Sequence, residues 1–343
     1  LQAAPRSDDR PKTVRELELL SYYLIDKALQ EVAEIEASTM LPQHQKFYRN
    51  LCELRDAVLA KTHPQQTDEW QQLHSPDVAS KLEAMVEHYR NHETAYDGKL
   101  LVRVGEALPA VFRQEVEPLA LMTHENLLED YYTTAVGMPN TYAQISRYTK
   151  MLSHKYPNLD YLEIGAGTGG ATVPTLKGLS GCEDLHIYPR LKSYTYTDIS
   201  SYFFQRAAEK FGDFAQFMNF KKLDVEHDPE IQDFKPASYD VIVAANVLHA
   251  TSDMHRTMTH ARKLLRPGGR LILLEMTNRL LAASVIFGTL PGWWNASEEW
   301  RTDGPLLTES QWENLLRSTG FSTLQASSPD VLNPLEEGTR LMI

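Results

Sequence analysis

The stretch Tyr161-Leu-Glu-Ile-Gly-Ala-Gly-Thr-Gly-Gly170 decides the fold of this 343-residue chain. A short apolar run, 161–164, feeds directly into Gly165, Gly167 and Gly169, and Glu163 stands two places before the first glycine. Glycine tolerates φ > 0 and lets a ligand approach the backbone, so the pattern reads as a nucleotide-binding turn between strand and helix. Its spacing sets it apart from two related loops. The dinucleotide fingerprint has two residues between its second and third glycines where this loop has one, and a phosphate loop ends in Lys-Ser/Thr, which is missing here. A tight E-x-G-x-G-x-G turn suits a compact ligand without phosphates, such as S-adenosylmethionine. A glycine-rich turn that binds nothing is the plainer alternative, and the flanking sequence has to decide between them.

Downstream, apolar runs alternate with polar turns and helical patterns, the signature of a parallel α/β sheet. Strands are expected at 161–164, 193–197, 219–223, 239–245 and 270–274, with a closing strand at 340–343. Asp198, Asp224, Asn246 and Glu275 stand at the C-terminal ends of the second to fifth, and open α/β sheets bind ligands at that edge. A single Asp after a strand is ordinarily a turn former; a series in register with one glycine loop is a site. Asp198 suits the hydroxyls of a ribose, Asp224 an adenine amino group, and Glu163 either the amino-acid end of the ligand or a brace for the loop. Phe203, Phe204, Met218 and Phe220 offer apolar cover for a base, or simply core.

The runs LEIGAGTGGAT, YTDIS-x-x-FF, LDVEHDP, YDVIVAANVLHAT, LLRPGGRLILLEMT and FGTLPGWW, in this order over about 127–321, carry a family likeness. Together they closely resemble the C-methyltransferase domain of fungal highly reducing polyketide synthases, a class I S-adenosylmethionine-dependent methyltransferase. The likeness extends more loosely to the N-terminal run GKLLVRVGEALP. It implies a Rossmann-like sheet with helices on both faces (residues 139–343), preceded by an all-helical lid (1–138). It implies a cofactor loop at Gly165, Gly167 and Gly169, a ribose-binding acid at Asp198, an adenine neighbour at Asp224, and backbone bordering the cofactor at Asn246. His249 and Glu275 match a catalytic dyad, and Tyr131 or Tyr132 a substrate-facing tyrosine. The implied reaction is methylation of the α-carbon of a β-ketoacyl thioester on an acyl carrier protein within a cytoplasmic synthase, releasing S-adenosylhomocysteine.

The dyad stands on chemistry as well. If the fourth and fifth strands are neighbours, His249, just past the fourth, and Glu275, ending the fifth, share one sheet edge. Imidazole titrates near about 6.5 and suits a general base. A carboxylate on its other nitrogen fixes the tautomer and stabilises the imidazolium that forms. Such a base could remove the proton of a carbon between two carbonyls. The plainer reading is a histidine satisfied by local hydrogen bonds, since the chain has 12. No metal is expected: the histidines lack HExxH spacing, and Cys52 and Cys182 are too few and too far apart for a zinc framework.

Composition agrees. A net charge of −12 argues against nucleic acid, and two cysteines argue for a reducing compartment. No apolar run approaches the roughly 20 residues of a membrane span, and 1–11 has no secretory pattern. The chain is expected to be a domain of a larger polypeptide. Val14, Leu17, Leu20, Leu24, Ala28 and Val32 form a helical stripe, Phe47, Leu51, Leu54 and Val58 a second, and Ser75-Pro76 opens a third helix. The polar stretch 61–72 reads as a loop, Trp293 as a candidate tunnel wall, and Trp300 and Trp312 as structural. Two other functions compete: an O- or N-methyltransferase acting on a small metabolite, and a non-catalytic scaffold that keeps the fold.

Overall fold

A computed structural model describes residues 10–32, 34–63, 66–180, 189–301, 304–322 and 339–342. Cys182 lies outside them. The N-terminal helices are α1 (Arg10–Glu31), α2 (Pro42–Leu59), α3 (Asp68–Gln71), α4 (Pro76–Asn91), α5 (Tyr96–Glu106), α6 (Leu108–Phe112), α7 (Pro118–Thr123) and α8 (Leu127–Thr134). Long α9 (Met138–Lys155) then leads into the sheet. The alternation that follows is β1 (Asp160–Ile164), α10 (Thr172–Ser180), β2 (Ser193–Asp198), α11 (Phe204–Lys210), β3 (Met218–Lys222), β4 (Tyr239–Ala245), α12 (Met254–Leu264) and β5 (Leu265–Met276). The chain continues through α13 (Leu281–Phe287), α14 (Glu309–Ser318) and β6 (Thr339–Met342).

The sheet order is β3-β2-β1-β4-β5-β6, with β6 alone antiparallel. The expected parallel α/β sheet is therefore present, and β4 and β5 are neighbours, pairing Ala245 with Leu274. Strand residues alternate between faces. Tyr161, Tyr194, Val243 and Ile272 share one apolar cluster with Leu152 of α9, Leu176 of α10 and the N-terminal helices. Leu162, Ile164, Ile242 and Leu273 share the other with Met258 of α12 and Trp312 of α14. The N-terminal helices and one sheet face thus bury a common core.

Part of 61–72 is helical rather than loop. Trp70 of α3 is buried and stacks on Tyr22 of α1 at 5.0 Å between ring centroids. One aromatic anchor holds a turn of helix that is too short to show a period. Trp312 is buried as expected, whereas Trp300 is half-exposed, with its ring beneath the Arg301 guanidinium. No described helix is long and apolar enough to cross a membrane.

Candidate active site

The switch point between β1 and β4 builds the site. The glycine loop leaves β1 with Gly165 at φ 63°, Gly167 at 54° and Gly169 at 83°. These values lie in the left-handed region that glycine tolerates. Space matters as much as dihedral angle at Gly165, where an added Cβ would lie 2.1 Å from Cγ2 of Val247. The turn after β4 therefore packs directly on the glycine loop. Asp198, at the end of β2, clasps the loop: Oδ2 accepts from Gly167 N–H at 3.0 Å and Oδ1 from Ser200 N–H at 2.9 Å. Burial pushes its carboxyl above the usual range. Tyr196 closes the clasp by donating its hydroxyl to the Gly167 carbonyl at 2.5 Å.

Glu163 lies beneath the loop, 1% exposed. Its Oε2 accepts from the Thr172 hydroxyl and the Tyr194 hydroxyl, each at 2.6 Å. Burial outweighs these two donors and lifts its carboxyl to about 7. Of its two sequence readings, this geometry is that of a brace. Asp224 stands just beyond β3 and accepts from Glu226 N–H at 3.0 Å, with His227 Nδ1 2.9 Å away.

After β4 the chain turns at Asn246, whose φ of 49° is unusual for a residue with a side chain. The Asn246 Nδ2 lies 3.9 Å from the Met138 sulfur, and its buried Oδ1 has no partner among the described residues. An orphaned buried acceptor beside a glycine cradle is where the amino group of a ligand would be held.

A 3₁₀ turn, Leu248–Ala250, then delivers His249. Its Nδ1 lies 2.5 Å from Glu275 Oε2, with both side chains buried. Glu275 Oε1 also accepts from Leu248 N–H at 3.0 Å and Val247 N–H at 3.3 Å. One carboxylate thus holds both the imidazole and the backbone that carries it. Nε2 of His249 has no hydrogen-bond partner among the described residues.

Around this pair stands an aromatic wall. Trp293 meets His249 edge-on at 6.2 Å, Phe287 stacks on Trp293 at 6.0 Å, and Tyr132 stacks on Phe287 at 5.9 Å. The adjacent tyrosines separate by their electrostatic neighbours. Burial and then the Glu275 charge push the Tyr132 hydroxyl up to about 12, whereas Tyr131 is raised by burial and then by Asp97. The Glu275 charge acts on Tyr132, while Tyr131 meets the same Phe287 ring edge-on at 5.8 Å and also lines a separate small cavity with Asp97 and Glu18.

Two residues that the sequence reading passed over belong here. Arg301, 3% exposed, donates to the carbonyls of His249 at 2.9 Å and Thr251 at 2.7 Å, and is neutralised by Glu298. It staples the histidine turn in place. The Tyr142 hydroxyl lies 2.9 Å from where a Cβ on Gly170 would be. Neither stands in a motif. Arg301 follows a polar run, and Tyr142 sits on an ordinary amphipathic helix.

A family model described as a methyltransferase domain matches residues 162–271. The squalestatin tetraketide synthase clz2 of Cochliobolus lunatus is 38% identical over 90% of this chain, which spans 12% of that relative's length. Among solved structures, the CurJ carbon methyltransferase superposes with a TM-score of 0.81 at 28% identity, covering 96% of this chain and 91% of that one. The CMeT domain of the citrinin polyketide synthase gives 0.76 at 26% identity, over 96% and 88%. The chain belongs to the class I methyltransferases, and within them to the carbon-methyltransferase domains of polyketide synthases. The cofactor of that class is S-adenosylmethionine, and the residues present fit it: a cradle too tight for a Cβ, an acid at the end of β2, and the orphaned Asn246 acceptor.

Proposed function

We propose that this domain methylates the α-carbon of a β-ketoacyl thioester held on the phosphopantetheine arm of an acyl carrier protein, within a cytoplasmic synthase. His249 acts as general base and Glu275 orients it. One observation carries the reading: Nδ1 of His249 is engaged by a buried carboxylate at 2.5 Å, which leaves Nε2 as the nitrogen free to accept a proton. S-adenosylmethionine, when bound, supplies an electrophilic methyl group. His249 Nε2 takes the proton from the carbon between the two carbonyls, and Glu275 stabilises the resulting imidazolium. The electron pair released becomes an enolate nucleophile. Arg301 keeps the imidazole in place by holding the carbonyls of its turn, and the wall of Trp293, Phe287 and Tyr132 excludes water. Holding both reactants at near-attack distance supplies a further several kcal/mol, up to about 7–11.

Gly165, Gly167 and Gly169 would cradle the cofactor, Asp198 its ribose, Asp224 its adenine and Asn246 its amino group, with Glu163 bracing the loop from below. Tyr132, rather than Tyr131, would face the substrate, with Trp293 beside it. Residues 1–138 would act as the lid, since their helices share a core with one sheet face and supply Tyr132. The deciding experiment is mass spectrometry of a β-ketoacyl thioester incubated with S-adenosylmethionine and either the native chain or His249→Ala. The native chain is expected to add one methylene mass at the α-carbon, and the variant to lose about 10²- to 10⁴-fold in rate. Methylation at oxygen or nitrogen instead would sink the carbon assignment. Failure to bind S-adenosylmethionine would leave a scaffold.

A further inference from the structure

On a chain of net charge −12, an acidic carrier protein needs a cationic place to dock. Beside the dyad lies a cleft of about 350 Å³ between α2 and the 3₁₀ turn Pro291–Trp294. Two of its lining residues, Trp293 and Arg301, contact His249. From the α2 side it is lined by Lys46, Arg49, Asn50 and Glu53. Lys46 bridges to the core by donating to the Trp294 carbonyl at 3.3 Å. Arg49 is exposed and has no acid partner among the described residues. Of the two acids in the lining, Glu298 is neutralised by Arg301. That leaves two cations facing Glu53.

We infer that this cleft is the mouth through which the phosphopantetheine arm enters, with Arg49 and Lys46 binding its phosphate and the Trp293 edge guiding the thioester to His249. The inference rests on the function proposed above and names the carrier contact of that same site. Arginine presents a planar fork that matches phosphate oxygens, and an unpaired one at the rim of a catalytic cleft is suited to a phosphodiester. A second, larger cationic crease of about 890 Å³, between α9 and α10, carries Arg147, Lys150, Lys177 and Lys210, the last paired with Glu129. It borders the glycine loop through Thr168, Gly169 and Gly170 rather than His249, which fits the cofactor side and not the acceptor side.

The test compares two substrates with the same β-ketoacyl group: one on carrier-borne phosphopantetheine, the other on N-acetylcysteamine, which has no phosphate. Arg49→Glu is expected to raise KM for the carrier-borne substrate about tenfold or more. Its kcat/KM for the phosphate-free thioester should stay at the native value, and Arg49→Lys should recover part of the loss. Circular dichroism melts of each variant establish that the fold is kept. Equal losses on both substrates would overturn the inference alone, because Arg49 would then serve the packing around Trp294. A loss in Lys177→Glu but none in Arg49→Glu would overturn it in favour of the α9–α10 crease. If the native chain methylates neither thioester, the proposed function falls and this inference falls with it.

Discussion

Glu163 and Glu275 are both buried glutamates near the same edge of the sheet, 1% and 0% exposed, yet they are held in opposite ways. Strand alternation puts Glu163 on the face of Tyr161 and Glu275 on the face of Leu271 and Leu273. Among the described residues Glu163 receives two hydroxyl donors, from Thr172 and Tyr194, and burial lifts its carboxyl to about 7. Glu275 receives two backbone N–H groups and an imidazole. Hydroxyls can satisfy a neutral acid as well as an anion, whereas amide N–H groups and an imidazole favour the anion. The donor set therefore separates a loop brace from the proposed orienter of a base, although the two side chains are chemically the same.

The contrast is most exposed to test at Glu275. Glu275→Gln keeps the shape but removes the charge that pairs with His249, so methyl transfer should fall by about 10²-fold or more with S-adenosylmethionine affinity retained. Glu275→Ala should in addition leave two buried N–H groups without an acceptor and cost about 1–3 kcal/mol, read as a lower melting midpoint. If Glu275→Gln reacts at the native rate while His249→Ala does not, the carboxylate is a brace like Glu163 and the comparison fails.

Gly165→Ala strikes the contact between the glycine loop and the turn that carries His249. The new Cβ would meet Val247 and hold an unfavourable φ, so stability should fall by about 1–3 kcal/mol. Calorimetric S-adenosylmethionine affinity should fall as well. A paired Val247→Ala relieves the clash and should recover part of both losses; no recovery would mean that the loop alone, and not its packing on the histidine turn, sets binding.

Glu163→Gln should have a smaller effect, visible mainly as pH dependence. With a folded value of about 7 against an ordinary 4.5, folded Glu163 binds more protons than unfolded Glu163 between those limits. Stability is then greatest at the acidic end of the window and is lost as pH rises through about 7. Glu18, lifted by burial to about 7 where it accepts from the N–H groups of Leu281 and Ala282, adds a slope of the same sign. Urea melts from pH 5 to 8 should show the slope reduced in Glu163→Gln and reduced further with Glu18→Gln. A native-like slope in Glu163→Gln would mean that Glu163 is ionised throughout, as in an anion-holding site.

The smallest effect should come from the tyrosines. Tyr132→Phe is expected to change kcat modestly, about two- to tenfold by analogy with loss of one hydrogen bond. Tyr131→Phe should leave kcat alone and shift only the melting midpoint. A reversed pattern would place Tyr131 at the dyad.

Much of this was legible beforehand where the signal is local. The strands at β1, β2 and β4 fall within a residue of expectation, because apolar runs bounded by turn residues have to pair. The glycine loop could be read because its spacing is a backbone requirement. β5 runs from Leu265 through Pro267 and two glycines, residues that ordinarily argue against a strand, so its first half was missed.

The sequence by itself determined the parallel sheet, the position of the glycine turn and the candidates His249 and Glu275, since each rests on residues adjacent in the chain. Only the tertiary structure decided that β4 and β5 are neighbours, that Glu163 is held by Thr172 and Tyr194, that the Glu275 charge acts on Tyr132, and that Arg301 holds the histidine turn and shares a cleft with Arg49. Each of these depends on groups brought together from distant parts of the chain. Burial, donor sets and charge neighbours are properties of that packing, and no local pattern encodes them.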